Sequence, residues 1–203
     1  TLSLHDALPI SIDLSKGQTV NLTKESNGSK TIEVRAKWNT SLSKETMDLD
    51  LMAIQLANGI CHDIAFYGNK DPMTGIIETK DKSITLSGDD RTGGNKEWNE
   101  VITIKADKIN QLIDKIACTL SIDKAEKKGQ NFGLVRDLSI EIYDVEHNNV
   151  IATFAPDLEN PLSTAMVLCE FIIRNNNLFI KPIGQEGELV TILKGYSIDV
   201  TND

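Results

Sequence analysis

The chain is built from short stretches that alternate apolar and polar residues, and this period of two constrains its fold more than any other feature. Thr31-Ile32-Glu33-Val34-Arg35-Ala36-Lys37-Trp38 and Glu100-Val101-Ile102-Thr103-Ile104-Lys105 alternate along their length. Extended backbone with one buried face produces that pattern, because successive side chains of a strand point to opposite sides. Residues 49–56 form a largely apolar run, and 61–67 follow across Ala57-Asn58-Gly59, a hairpin turn signal. Further strands are expected over 117–122, 138–145, 150–154, 165–174, 178–182 and 189–193, with Asn148-Asn149 after His147 reading as another hairpin turn. Residues 107–116 differ: Ile109, Leu112, Ile113 and Ile116 recur at helical spacing, which predicts one short helix. Many short strands, frequent turn signals and little helix point to an all-β chain, a two-sheet antiparallel β-sandwich with one or two short helices.

Composition narrows the function classes. The formal charge is −9 over 203 residues, which argues against a nucleic-acid partner, since that binding is dominated by Lys and Arg on phosphate. It also disfavours anionic lipid unless a cation bridges the two. No run of about 18 apolar residues is present, so no membrane-spanning helix is expected. Cys61, Cys118 and Cys169 are far apart and embedded in apolar sequence. They read as buried reduced thiols, which suits a cytoplasmic location, and no Cys-x-x-Cys or zinc spacing occurs. Residues 1–10, Thr1-Leu2-Ser3-Leu4-His5-Asp6-Ala7-Leu8-Pro9-Ile10, match codon for codon the translation of a common short-read sequencing adapter. They are read as a non-native segment without functional weight, and residues 11–203 as a single domain.

Two acidic clusters carry the chemistry. Asp48-Leu49-Asp50 opens one strand, and Ser87-Gly88-Asp89-Asp90-Arg91-Thr92-Gly93-Gly94-Asn95-Lys96-Glu97-Trp98-Asn99-Glu100 leads into another. Asp48 and Asp50 share a face of an extended strand. Two carboxylates on one side repel, and a divalent cation relieves that cost. Asp89, Asp90, Asn99 and Glu100 add hard oxygen donors, with glycines that let backbone turn around an ion, and this is the donor set calcium takes. Asn69, after another strand, is a further candidate through its amide or carbonyl oxygen, although Asn69, Tyr67 and Asn131 also suit turn or core roles. Without a metal, these residues would be solvent-facing acids beside strand ends. His62 beside Asp63 hints at acid–base chemistry, but neighbours on a strand face opposite ways, so no catalytic residue is assigned. Trp38 alternates into a strand and is expected in the core, whereas Trp98 sits in the loop and is expected to be exposed.

Several motifs occur together in a fixed order: Leu14-Ser15-Lys16-Gly17-Gln18, Lys37-Trp38, Asp48-Leu49-Asp50, Ile64-Ala65-Phe66-Tyr67-Gly68-Asn69, Ser87-Gly88-Asp89-Asp90-Arg91-Thr92-Gly93, Asn131-Phe132-Gly133-Leu134-Val135-Arg136, Thr164-Ala165-Met166 and Pro182-Ile183-Gly184-Gln185. In this order they resemble the TerD family of bacterial tellurium-resistance and stress proteins, which is related to slime-mould cAMP-binding proteins. The resemblance runs from about Ile12 to about Tyr196. It implies a β-sandwich holding calcium through acidic loops at one end. Asp48 and Asp50 match the family's Asp-Leu-Asp pair, Asp89 the first acid of its Gly-Asp-Asn-Arg-Thr-Gly loop, and Glu100 the glutamate that closes the loop. The chain departs from the pattern at Asp90, where Asn is usual, and at Asn99, where Asp is usual. Lys96 and Trp98 also stand in a run that is normally richer in carboxylates. Fewer ligating charges weaken calcium affinity, so one Ca2+ site is expected and a second stays open.

The resemblance implies a non-enzymatic, cytoplasmic adaptor in stress responses. It would work with other tellurium-resistance proteins, including a membrane-embedded partner that brings it to the inner membrane. Two other classes compete. One is a calcium-dependent module docking to lipid headgroups or nucleotide phosphates, which an exposed apolar loop beside the metal would favour. The other is a metal-assisted hydrolase, which needs a base beside an open coordination position.

Overall fold

A computed structural model describes residues 11–40, 47–87 and 98–200. In chain order the elements are β1 (Ile12–Asp13), β2 (Val20–Asn21), α1 (Leu22–Glu25), β3 (Thr31–Asn39), β4 (Leu49–Ala57), β5 (Ile60–Ala65), β6 (Ile77–Glu78), β7 (Ile84–Leu86) and β8 (Glu100–Lys105). They continue with β9 (Lys115–Ile122), α2 (Ala125–Lys128), β10 (Arg136–Asp144), β11 (Asn149–Phe154), β12 (Ala165–Arg174), β13 (Asn177–Gly187) and α3 (Leu189–Gly195). Sheet one runs β1-β11-β10-β3-β8-β7-β6 and sheet two β2-β13-β12-β9-β4-β5. Pairing is antiparallel except between β1 and β11. The fold is therefore the two-sheet β-sandwich expected from the alternation.

The period-two pattern does what it predicts. On β3, Ile32, Val34, Ala36 and Trp38 are buried while the residues between them face outward. Ile32 pairs with Ile104 and Val34 with Ile102 on β8, aligning two apolar rows on one inner face. They meet Leu49, Leu51, Ala53, Cys118, Leu120 and Phe171 of sheet two in one core. Asn58-Gly59, both at positive φ (53° and 80°), makes the tight β4–β5 turn that an Asn-Gly pair favours.

Two expectations are corrected. Residues 189–193, expected as a strand, begin α3. The outer face of sheet two carries Met52, Ile54, Leu56 and Ala117 beside Ala165 and Val167, and Leu189, Ile192, Leu193 and Tyr196 cover it. These four lie at i, i+3, i+4 and i+7, the helical face that a run of β-branched residues disguised. Residues 107–116, expected as a helix, instead form a 3-10 turn at Ala106–Lys108, further turns, and the start of β9. Asn110 redirects this backbone. Its side chain accepts from Leu112 N at 3.0 Å, its carbonyl from Ile113 N at 2.9 Å, and its own N–H donates to Asp81 Oδ2 at 3.0 Å. The side chain of Asn thus competes with helical pairing.

Trp38 is in the core, 2 % exposed. Trp98 is half-buried rather than exposed, its ring 6.0 Å from the Arg35 guanidinium, which lies over Tyr143. Cys118 and Cys169 are buried and face each other across β9 and β12, whereas Cys61, also expected to be buried, is only half-buried.

Candidate functional site

The first acidic cluster sits where β4 emerges at one end of the sandwich. Leu49 and Leu51 enter the core at 0 % and 2 % exposure, while Asp48 and Asp50 are half-buried on alternate positions. The Asp48 carbonyl accepts from Asp123 N at 2.9 Å, and Asp50 pairs with Ser121 on β9. On the other flank of β4, strand β5 stops at Ala65, opposite Ala53. The N–H of Leu51, beyond that last pair, donates to Glu100 Oε2 at 2.6 Å. Glu100 belongs to β8 of the other sheet, so a charge-assisted hydrogen bond ties the two sheets here.

Asn99 works beside it in the opposite direction. Its N–H donates to the Ala36 carbonyl at 2.9 Å, and its Oδ1 accepts from Trp38 N at 2.7 Å, both on β3. Asn99 and Glu100, 4 % and 6 % exposed, thus clamp one strand of each sheet. Buried polar groups in such a place need partners, and here the partners are backbone N–H groups.

Asp50, Tyr67, Ser87 and Glu100, with Leu51, Ile77 and Leu86, line one cavity of about 10 Å³, close to the space one water-sized body occupies. The structure brings together Asp50 and Glu100, one from each sheet, and adds Tyr67 and Ser87. Ser87 donates its N–H to the Val101 carbonyl at 2.8 Å and accepts from Val101 N at 2.9 Å through its hydroxyl. The polar groups are all oxygens, and that chemistry fits a hard cation better than a soft one. No group of three or more His, Cys, Asp or Glu side chains that could hold a metal occurs among the described residues. Asp89 and Asp90 lie outside the described residues, in the segment that follows Ser87.

Asn69 is placed differently. It ends a 3-10 turn at Tyr67–Asn69, its Oδ1 accepts from Phe66 N at 3.1 Å, and its amide donates to the Ile64 carbonyl. Its side chain braces the turn that carries Tyr67. Asn131 likewise caps its own turn, accepting from Gly133 N at 3.0 Å. Asp63 accepts from Ile64 N and Lys80 N, at 2.9 Å and 2.7 Å, and His62 beside it is exposed.

Sequence reasoning overlooked two carboxylates that organise other loops. Asp81 joins Gln55 of sheet two to the β6–β7 turn. Asp144, at the end of β10, accepts from Glu146 N and His147 N and lies 2.7 Å from His147 Nδ1. Each sits one or two residues from a turn, a local signal that could have exposed it.

A TerD domain model matches residues 10–196. The chain belongs to the TerD family. It is 31% identical over 200 residues to the uncharacterized protein YceE of Bacillus subtilis strain 168, covering 94% of this chain and 100% of that protein. It is 29% identical over 199 residues to the tellurium resistance protein TerD of Serratia marcescens, covering 95% and 100%. The crystal structure of a TerD homologue from Streptomyces coelicolor A3(2) superposes with a TM-score of 0.63 over 83% of this chain and 96% of the other. At 18% identity that likeness speaks for the fold. None of the described helices is long and apolar enough to cross a membrane.

Proposed function

We propose that this TerD-family chain is a non-enzymatic, calcium-binding adaptor of a bacterial stress response. The observation that carries this reading is the meeting of Asp50 and Glu100, from opposite sheets, around a space for one small body. Two carboxylates lining one cavity repel each other, and a cation between them relieves that cost. Asp50 and Glu100 would hold the ion, with Ser87 and Tyr67 as neighbouring oxygens and Asp48, Asp89 and Asp90 as further donors from adjoining backbone. Asn99 would act through the clamp that fixes Glu100, and Asn69 through the turn beneath Tyr67. The ion would supply charge neutralisation between two sheets, which makes it a fastener of the acidic end and a means of setting that surface for a partner. Partners in this reading are other tellurium-resistance proteins, one of them membrane-embedded, met from the cytoplasm. The resistance and stress names of the relatives support the stress-response part of this reading.

Calcium titration by calorimetry on the full chain, with thermal unfolding alongside, tests this. Binding with a raised melting temperature is expected, since a ligand held only by the native state stabilises it. Asp50→Asn and Asp89→Ala should each weaken the heat. No heat and no thermal shift in the parent chain would overturn the calcium reading.

A further inference from the structure

The loop that leaves β5 and enters β6 crosses from sheet two to sheet one at the same end as Asp50 and Glu100. Its two ends, Tyr67 and Ile77, line the acidic cavity. Between them Met73 is 94 % exposed, Ile76 44 % and Tyr67 41 %. Large apolar side chains are rarely presented together on one loop without a use.

This loop is built rather than loose. Asp71-Pro72-Met73-Thr74 places Asp first and Pro second, as a tight turn prefers. Asp71 Oδ1 accepts from Met73 N at 2.9 Å, Thr74 N at 2.7 Å and Thr74 Oγ1 at 2.9 Å. The Asp71 backbone closes the loop, donating to the Ile76 carbonyl and accepting from Gly75 N, each at 2.8 Å. Asn69 braces the base against Phe66 and Ile64. Every hydrogen bond of the turn therefore helps to hold Met73 out in solvent.

We infer that the β5–β6 loop is a wedge by which the protein docks on an anionic phospholipid bilayer, with the cation at Asp50 and Glu100 bridging to the headgroups. This rests on the calcium reading above. The make-up of the loop favours a bilayer over a protein. The loop follows the interfacial pattern: an apolar tip at Met73 and Ile76, a Tyr at its base, and Lys70, whose Nζ lies 5.6 Å from the Tyr67 ring. Tyr and Lys are residues whose apolar bodies and polar ends suit a headgroup layer. Charge sets the condition under which the loop docks. The chain carries −9 overall, so an anionic membrane repels it unless a divalent ion lies between, and the wedge stands beside the cavity where that ion would sit.

Co-sedimentation of the full chain with phosphatidylcholine vesicles, with and without phosphatidylserine and with calcium or EGTA, tests this, with calorimetry alongside. Parent protein should bind phosphatidylserine vesicles in calcium and release them in EGTA. Met73→Asp should bind about ten-fold less or weaker while keeping the calcium heat, since it loses one buried apolar side chain in the bilayer. Met73→Trp should bind more tightly. Met73 is solvent-exposed, so neither variant threatens folding. Calcium heat without vesicle binding, or Met73→Asp binding as well as the parent, would overturn the wedge and leave the calcium reading standing. Vesicle binding that survives EGTA would overturn the bridging ion. No heat and no vesicle binding would remove both readings together.

Discussion

Both ends of the sandwich use a carboxylate to join sheet one to sheet two, but the two carboxylates live in different company. At one end Asp81, in the β6–β7 turn, receives five donors. Gln55 Nε2 and Asn110 N reach Oδ2 at 2.9 and 3.0 Å. Thr79 Oγ1, Ser83 N and Ser83 Oγ reach Oδ1 at 2.7, 2.9 and 2.7 Å. At the other end Glu100 accepts from Leu51 N and shares its cavity with a second carboxylate, Asp50. A carboxylate surrounded by donors is already neutralised and serves the fold. Two carboxylates lining one small space repel each other, and a cation between them relieves that cost. The contrast sets Asp81, held by five donors from the fold, beside a pair of acids proposed as cation ligands.

Removing each acid in turn is the sharpest way to break the comparison. Asp81→Ala removes one of two acceptors of Gln55 Nε2, a residue 1 % exposed that keeps its bond to Ser83 Oγ, and takes an acceptor from two hydroxyls and two backbone N–H groups. Loss of a half-buried, multiply bonded carboxylate is expected to destabilise by about 2 kcal/mol, read by urea unfolding, with the calcium heat unchanged. If Asp81→Ala also abolished calcium binding, the two ends would not be independent. Glu100→Ala takes the acceptor from the Leu51 N–H. An expected loss of about 2 kcal/mol in EGTA follows, together with disappearance of any thermal shift caused by calcium. A Glu100→Ala variant that kept the calcium shift would move the ion elsewhere.

Acid titration compares the same two ends. Burial raises the Asp81 pKa, but hydrogen bonds from Ser83, Gln55 and Thr79 outweigh it and hold the carboxyl at about 2, below the ordinary 3.8. A depressed folded pKa means that the charged form stabilises the native state. Its contribution is complete above the unfolded value of 3.8 and is lost as pH falls through about 2. Asp81 is partly open to solvent, so after screening the effect is roughly 1 kcal/mol. Denaturant midpoints measured from pH 5 downward should fall across that window in the parent chain and fall less in Asp81→Asn.

The sandwich was legible because alternation is a local signal with a unique geometric meaning. Residues 31–38 and 100–105 became strands with the expected faces buried. Errors arose where a tertiary contact decided. Leu189-Val190-Thr191-Ile192-Leu193 has the composition of a strand, and only the uncovered apolar face of sheet two makes it α3. Ile109, Leu112, Ile113 and Ile116 have helical spacing, yet the hydrogen bond from Asn110 N to Asp81 lies across 29 positions that no local window sees. Acidity pointed to the end that carries the candidate site, through Asp48-Leu49-Asp50 and the segment before Glu100. Its geometry was not legible: Asp50 and Glu100 meet only because β4 and β8 belong to facing sheets, and Asn99 turns out to serve the backbone of β3. Met73 carried no pattern at all, since an exposed apolar tip is defined by what surrounds it.

The smallest expected effect is the most discriminating one, because its sign depends on the cation. Asp50 is half-buried and lines the same cavity as Glu100. In EGTA, Asp50→Asn removes one of two like charges while keeping the shape of the side chain, so it should raise stability by a few tenths of a kcal/mol, about the size of a partly solvated charge pair. In calcium the same change removes a ligand, so the variant should gain less stability from the ion than the parent does. The two melting curves should therefore cross in order, variant above parent without calcium and below it with calcium. Asp81→Asn offers the control, since an acid satisfied by five donors should lower stability by the same amount in both conditions. If Asp50→Asn behaved as Asp81→Asn does, Asp50 would be one more structural acid and the two ends of the molecule would be alike.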